Sequence, residues 1–325
     1  MNNKINIISS LKQKKYLEYI TTNTRIIFLL IIIGIFIRII PYFFLSERTN
    51  YGYVFYSLID SISANFTFEI NANPDFYFAP LFFYIYGLFN TIIKINYFTY
   101  TIIQALLSGI FGFVIYHNIN EIVGKRVAFF SLIMYLFYPY YFISSSHIID
   151  TLIFMIFFYL FIFNLIKYYK FDYKLKYLVF TSLFLGITML VRATVLFLVM
   201  AIPIFLIFNS KINIKKRIIH ISTFCLVFLI ILLPWIFRNY KLTGDIFLSP
   251  RGGEALYYGN NINAYKCLKN NISLDKLDPW KNNSLSLSVP DSIVAGRCEL
   301  SYNQMKKYYS WQKTEVIEFI KNNPV

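Results

Sequence analysis

Charged residues are scarce in this chain of 325 residues. Only 14% of them are Asp, Glu, Lys or Arg, and 57% are hydrophobic, whereas about a quarter of a soluble domain is charged. The hydrophobic residues lie in long blocks and do not alternate with polar ones. These features exclude an ordinary soluble domain and indicate a protein that crosses a membrane several times.

Acidic residues are also few. The chain has 16 Asp and Glu against 31 Lys and Arg, which gives a formal net charge of +15. In a soluble protein this excess would suggest a nucleic-acid partner. Here the basic residues cluster in short loops between hydrophobic runs, as the orientation of membrane helices requires. We therefore expect no nucleic-acid partner.

Cysteine and histidine are rare, with three of each, and no group of them has the spacing of a metal site. Cys225 lies in a hydrophobic run and is expected to be inert. Cys267 and Cys298 both lie in the C-terminal region. If that region faces an oxidising compartment, a disulfide between them is as plausible as two free thiols. The sequence identifies no cofactor and leaves a divalent metal open.

A cleavable signal-peptide pattern is missing, because residues 1–25 are polar and basic and the first hydrophobic run is too long for a signal core. About 20 apolar residues span the hydrocarbon core of a bilayer as a helix. The predicted spans are Ile26–Leu45, Phe98–Ile119, Val127–Ser144, Ile148–Ile166, Tyr177–Val191, Val195–Phe208 and Ile218–Phe237. We expect an all-α polytopic membrane protein with a cytoplasmic segment 1–25, a membrane module 26–237 and an extracytoplasmic segment 238–325.

Basic clusters orient these helices, because positively charged short loops face the cytoplasm. The clusters lie at residues 4–25, 125–126, 167–176 and 211–217. An odd number of crossings must then separate the first outer loop from Lys125. The shorter run Leu81–Ile93, which follows Pro80, is therefore predicted to lie at the outer interface as an amphipathic or re-entrant helix. The alternative is that Lys125 and Arg126 face outside.

The resulting map has three outer regions: the long loop 46–97, the junction 145–147 and the segment from residue 238 onward. We expect the long loop to contain juxtamembrane helices. The C-terminal segment has the composition of a soluble region. It ends with a predicted helix, Tyr302–Lys321, in which apolar residues recur at helical spacing.

Charges at the edges of membrane spans are costly and need a reason. By this map they gather on the outer side, at Arg38, Asp150, Arg192 and Arg238. Arginine forms two-point hydrogen bonds with phosphate oxygens, so such a group suits a phosphorylated lipid. The alternative for each arginine is a side chain that reaches out to anchor a helix end.

A general base requires a carboxylate fixed near the acceptor group. The first outer loop carries Glu47, Asp60, Glu69 and Asp75. Glu47 directly follows the membrane exit and Asp75 lies close to the outer interface, so these two are the better candidates. His147 lies within one helical turn of Asp150 and is open to a metal or proton-transfer role, as well as to a capping or surface role.

Several stretches of the chain resemble a known family. They are YVFYSLIDSISANFTF (Tyr53–Phe68), YFAPLF (Tyr77–Phe82), GKRVAFFSLIMYLFYPYYFISSSHIIDTLIF (Gly124–Phe154), GITMLVRATVLF (Gly186–Phe197) and LLPWIFRNYKLTGDIFLSPRGGEALYYGNN (Leu232–Asn261). They are similar to the bacterial polyprenyl-phosphate-sugar glycosyltransferases with the GT-C fold, glycosyltransferase family 39, which includes protein O-mannosyltransferase-like and aminoarabinose-transferase-like proteins. The Pro-Trp-x-x-Arg-Asn-Tyr segment is the most specific of these resemblances.

The resemblance implies a GT-C-like helical bundle in a bacterial plasma membrane, with the N-terminus in the cytoplasm. It implies inverting transfer of a sugar from a polyprenyl-phosphate carrier to a lipid, glycan or protein acceptor at the outer face. A first-loop acid acts as general base and Asp150 is the second acid. Basic residues hold the carrier phosphate. The predicted substrate-binding residues are Arg192, Arg238, Asn239, Tyr77, Asp75 and His147.

The chain departs from this family at two points. Relatives usually have an aspartate three or four residues before the tyrosine that matches Tyr53, whereas this chain has Thr49 and Asn50. Glu47 is the nearest carboxylate and is predicted to replace it. Relatives also continue beyond a segment like VIEFIKNNP, so the chain is expected to be truncated at its C-terminus. The alternatives are a non-catalytic remnant and a polytopic lipid or sugar transporter.

Overall fold

A computed structural model describes residues 23–44, 52–70, 73–76, 78–145, 147–249, 254–270 and 302–323. Its helices are α1 (Thr24–Phe44), α2 (Gly52–Asn65), α3 (Pro80–Ile92), α4 (Tyr97–Ile122), α5 (Lys125–Phe137), α6 (Pro139–Ser145), α7 (Thr151–Lys170), α8 (Leu175–Val191), α9 (Leu196–Phe208), α10 (Ile214–Thr243), α11 (Glu254–Gly259), α12 (Ile262–Lys269) and α13 (Tyr302–Asn322). Strands β1 (Glu69–Ile70) and β2 (Asn73–Pro74) form an antiparallel pair. The predicted all-α class is confirmed.

Four of the described helices are long and apolar enough to cross a membrane by length and composition, namely α1, α4, α7 and α10. The apolar helices α3, α8 and α9 are shorter. Helix α3 has 13 residues and is therefore about 20 Å long, which is less than the roughly 30 Å hydrocarbon core. Its length suits the predicted interfacial position, which stays a prediction. The loop 46–97, which is predicted to lie outside and is called the first outer loop on that basis, contains helices α2 and α3, as expected.

The prediction of one continuous span over Val127–Ser144 is wrong. Helix α5 ends at Phe137, Tyr138 is extended with ψ 119°, and the short helix α6 begins at Pro139. Proline has no backbone N–H, and its ring disfavours helical geometry in the residue before it. The hydrophobic pattern continues through this point, but the backbone hydrogen bonding does not.

The last predicted span, Ile218–Phe237, lies within a longer helix. Helix α10 continues through Pro234 as far as Thr243 and ends at Gly244, which is left-handed with φ 74°. Gly244 adopts this conformation without a side-chain clash, and its N–H bonds the Tyr240 carbonyl at 2.8 Å. Arg238 and Asn239 therefore lie inside a helix, and the expected domain boundary at 237/238 falls within it.

Buried apolar clusters hold the helices together. One cluster joins α7, α8, α9 and α10 through Phe161, Leu185, Ile202 and Phe224. Another joins α1, α4 and α5 through Ile31, Phe111, Leu132 and Leu136. A third, which we call the outer-loop cluster, joins α2 and α3 to the ends of α4, α7, α8 and α10; it includes Phe55, Phe68, Tyr86, Tyr100, Ile148, Ile153, Val191 and Trp235. The outer-loop cluster brings the first outer loop onto the ends of the long helices.

Helix α13 confirms the predicted C-terminal helix. Its Met305 and Tyr309 pack on Phe76 of the first outer loop. Lys306 and Tyr302 donate to the Asp245 carboxylate at 2.6 and 2.8 Å, and these bonds hold the pKa of Asp245 below its usual range.

The cysteine predictions have different outcomes. Cys225 lies in α10 and is half-buried, and Cys267 lies fully buried in α12. Cys298 lies outside the described residues, so the disulfide stays a prediction.

Candidate functional site

Asp150 and Arg192 form an ion pair with two contacts, at the beginning of α7 and the end of α8. Asp150 directly precedes α7, and Arg192 directly follows α8. Arg192 donates from Nε to Asp150 Oδ2 at 3.2 Å and from Nη2 to Asp150 Oδ1 and to Thr151 Oγ1. The two side chains are 26% and 35% exposed, so the pair is desolvated in part but still open to a ligand.

Local structure explains why these two residues meet. The Asp150 carboxylate makes no capping bond to its own helix, yet it lies at the helix N-terminus, where a negative charge is favoured. Arg192 is extended, with φ −156° and ψ 116°, at the point where α8 gives way to a short 3-10 turn. This break turns its side chain toward Asp150 and the ring of Phe154, which lies 5.2 Å from the guanidinium carbon.

Arg238 ties helix α10 to the first outer loop. Its Nη1 donates to the Asp75 carbonyl at 2.9 Å and to Asn239 Oδ1 at 3.0 Å, and its Nη2 donates to the Phe68 carbonyl at 2.9 Å. The guanidinium carbon lies 4.6 Å from the centroid of the Trp235 ring. Arg238 therefore has a structural role, because it links α10 to the first outer loop. Its planar guanidinium group suits contacts with two separate carbonyls.

Trp235 and Asn239 hold the segment that follows α10. Trp235 Nε1 donates to the Leu248 carbonyl at 3.0 Å, and Asn239 Nδ2 donates to the Phe247 carbonyl at 3.1 Å. Asn239 is fully buried. The Pro-Trp-x-x-Arg-Asn-Tyr segment thus places three side chains on one stretch of helix, where they bind backbone carbonyls on both sides of it.

The outer-loop cluster brings these two groups to the same end of the bundle. Ile148 and Ile153 flank Asp150, Val191 precedes Arg192, and Trp235 lies against Arg238; all four belong to that cluster. The site is therefore one region assembled from α7, α8, α10 and the first outer loop.

Arg38 lies next to this region. The alternative that its side chain reaches out to anchor a helix end is wrong. It is 1% exposed, and its guanidinium donates to the carbonyls of Gly34, Leu136 and Tyr135 at 2.8 to 3.1 Å. It lines a cavity of about 20 Å³ together with Gln104 and Thr151, which is room for about one water molecule.

The remaining predicted residues have different outcomes. Glu47 and Tyr77 lie outside the described residues. Asp75 is buried and its carboxylate accepts from Phe78 N–H at 3.1 Å. The His147 side chain is half-buried, and no three His, Cys, Asp or Glu side chains gather to hold a metal within the described ranges. Contacts of all these residues with substrate stay predictions.

Sequence reasoning missed two polar residues near Asp150. Tyr100 and Gln104 lie one helical turn apart on α4, both fully buried, and they are linked by a hydrogen bond of 2.6 Å. Their spacing and the position of a glutamine inside an apolar helix were visible signals. What they face depends on the tertiary structure.

The chain is a polytopic helical membrane protein with loop helices packed on one end of its bundle, beside an Asp–Arg pair. A family model described as dolichyl-phosphate-mannose-protein mannosyltransferase matches residues 77–237, and this match assigns the chain to the GT-C glycosyltransferases. Asp150 and Arg192 lie inside the matched range, and Arg238 directly follows it. The family implies membrane embedding and a lipid-linked sugar donor. Neither curated proteins nor solved structures gave a match.

The Arg238→Lys substitution tests whether Arg238 holds the first outer loop on α10. Lysine keeps the charge but cannot contact the Phe68 and Asp75 carbonyls together, and a buried polar group left unpaired costs about 1–3 kcal/mol. We expect the thermal unfolding midpoint in detergent to fall by about 3–6 °C. Lys241→Arg is the control, because Lys241 lies exposed one turn further along the same helix. An unchanged midpoint for Arg238→Lys contradicts this structural role.

Proposed function

We propose that this protein transfers a sugar from a polyprenyl-phosphate carrier to an acceptor at the extracytoplasmic face of a bacterial plasma membrane, with inversion at the anomeric carbon. The observation that carries the proposal is the partly exposed two-point pair of Asp150 and Arg192 at one end of a GT-C bundle. The cytoplasmic position of the N-terminus is supported by the basic clusters in the short loops.

Arg192 is the phosphate-binding residue in this proposal. When the bond between the sugar and the carrier breaks, negative charge develops on the leaving phosphate, and a positioned guanidinium stabilises that charge. The carboxylate of Asp150 holds the guanidinium at two points, so little reorganisation accompanies the reaction. Thr151 adds a hydroxyl, 3.3 Å from Arg192 Nη2. Arg238 contributes a second positive charge at the same end and keeps the first outer loop in place.

Glu47 is proposed as the general base that takes the proton of the acceptor hydroxyl. It is the nearest carboxylate in the sequence to the position where relatives carry an aspartate, and it belongs to the same loop 46–97 as Phe68 and Asp75, whose carbonyls bind Arg238. Asp75, which is 5% exposed and binds the Phe78 N–H, is proposed to shape this loop around the sugar. Asn239, Tyr77 and His147 remain secondary substrate-contact candidates.

The test is transfer from a radiolabelled polyprenyl-phosphate sugar in membranes that contain the protein. We expect transfer by the wild type and a loss of at least about 100-fold in Glu47→Gln, since general-base catalysis contributes about 10²–10⁴-fold. Glu121→Gln is the matched control, because Glu121 pairs with Lys167 at the end of α4 remote from Asp150. Wild-type rates in Glu47→Gln contradict the base assignment, and no transfer from any donor tested favours the non-catalytic remnant.

A further inference from the structure

The hydroxyl of Tyr100 binds the backbone that leads into Asp150. It accepts from the Ile149 N–H at 3.1 Å and from Gln104 Nε2 at 2.6 Å. Its single proton is shared between two acceptors, the His147 carbonyl at 3.1 Å and the Ile149 carbonyl at 3.3 Å. One proton and two lone pairs are the full capacity of a hydroxyl, so these contacts use all of it.

The segment 147–149 needs such support because it belongs to no helix. It joins α6 to α7, and Asp150 follows it without a capping bond from its own carboxylate. The position of that carboxylate relative to Arg192 therefore depends on where the backbone of 147–149 is held. Tyr100 holds it from α4, across the outer-loop cluster.

Gln104 fixes the direction of the Tyr100 hydroxyl. Its Nε2 occupies one lone pair of the hydroxyl, so the phenolic proton points to the loop carbonyls. Gln104 also lines the small cavity beside Arg38.

We propose that Tyr100 and Gln104 are positioning residues for Asp150, and through it for the guanidinium of Arg192. This inference rests on the proposed function, because it assigns the pair a catalytic task. A displacement of about 1 Å in a catalytic group costs on the order of 100-fold in rate. Tyr100 and Gln104 are themselves fully buried.

Tyr100→Phe removes the hydroxyl and keeps the ring, which packs 5.4 Å from Phe55 and 5.0 Å from Tyr86. We expect kcat for sugar transfer to fall about 10- to 100-fold, with KM for the donor within about twofold of the wild-type value, because the Arg192 charge is retained and its exact position matters most for the charge that develops in the transition state. Gln104→Met is the milder variant, with an expected fall in kcat of about two- to fivefold. Tyr168→Phe is the matched control, because it removes another fully buried tyrosine hydroxyl that makes a hydrogen bond, with His220 Nδ1 at 2.7 Å, near the end of α7 remote from Asp150.

A second measurement needs no activity. In a background without the native cysteines, Asp150→Cys reports the exposure of this position through its rate of labelling by a water-soluble maleimide. Tyr100→Phe is expected to raise that rate at least threefold, and Tyr168→Phe to leave it unchanged. An unchanged labelling rate in Tyr100→Phe overturns the positioning role.

The two measurements separate this inference from the proposed function. Faster labelling together with a lower kcat supports the positioning role, and faster labelling with wild-type kcat overturns it. Faster labelling in a protein that transfers no sugar from any donor supports the structural contact and overturns the proposed function instead.

Discussion

Asp150→Asn is expected to lower the rate of sugar transfer by about 100- to 1,000-fold, the range found when one preorganised electrostatic group is removed from an active site. Asparagine is similar in size, but it has one acceptor oxygen where the carboxylate has two, and it carries no charge. The guanidinium of Arg192 then loses the partner that holds its Nε and Nη2. The readout is transfer from a radiolabelled polyprenyl-phosphate sugar.

Arg192→Lys isolates the geometry of the same pair. Lysine keeps the positive charge but makes one contact instead of two, so we expect a loss of about 10- to 100-fold. If the two residues act as a unit, the double variant transfers no more slowly than the worse single variant. If the losses of the two single variants add in the double variant, the two residues act independently and this prediction is wrong.

Stability separates a catalytic pair from a structural one. Partly exposed ion pairs contribute about 0–1 kcal/mol, so the thermal midpoint of Asp150→Asn should change by at most about 3 °C. The Lys167–Glu121 pair at 2.6 Å is the matched control at the other end of α7. Lys167→Met should leave transfer within about twofold of wild type. A large fall in midpoint for Asp150→Asn, with unchanged transfer, makes the pair structural.

Arg38→Met is expected to produce the largest loss of stability. The Tyr135 and Leu136 carbonyls lie in the last turn of α5, where they have no partner within the helix. Arg38 supplies that partner from α1, and the negative end of α5 in turn offsets the charge of the guanidinium. Ser145 of α6 completes the junction by donating to the Arg38 carbonyl at 2.8 Å. Arg38 thus fastens the break at Pro139.

Methionine fills much of the same space but leaves these buried carbonyls without a donor, at a cost of about 3–5 kcal/mol in total. We expect the thermal midpoint in detergent to fall by about 10 °C or more. Lys241→Met removes the same charge from an exposed site and should leave the midpoint unchanged. A stable Arg38→Met protein contradicts the capping role.

The helices were largely predictable because their signal is local. A run of apolar residues defines a membrane helix without reference to any partner, and α4, α7, α8 and α13 lie within a few residues of their predicted bounds. The effect of a proline on these helices is not local. Pro139 divides a predicted span and Pro234 does not end one, because the consequence of a missing N–H depends on whether neighbouring groups replace the lost bond.

The site was predictable in part. The residues Asp150, Arg192 and Arg238 stood out because charges beside apolar spans are costly. That Asp150 pairs with Arg192 was not visible, since the two residues are 42 positions apart. The different roles of the three arginines were not visible either. Arg38 and Arg238 bind backbone carbonyls of distant segments, and no sequence pattern identifies a carbonyl as an acceptor.

The sequence by itself determined the class of the protein, because hydrophobicity and charge act through the membrane on each segment separately. Its apolar runs required a polytopic helical fold, and its scattered polar residues restricted the chemistry to a few positions. The tertiary structure alone decided what each of those positions does. Packing across the bundle brings Arg192 to Asp150, the Phe68 and Asp75 carbonyls to Arg238, and Tyr100 to the loop before Asp150. Such contacts depend on distances of about 3 Å between residues far apart in the chain, which no local pattern encodes.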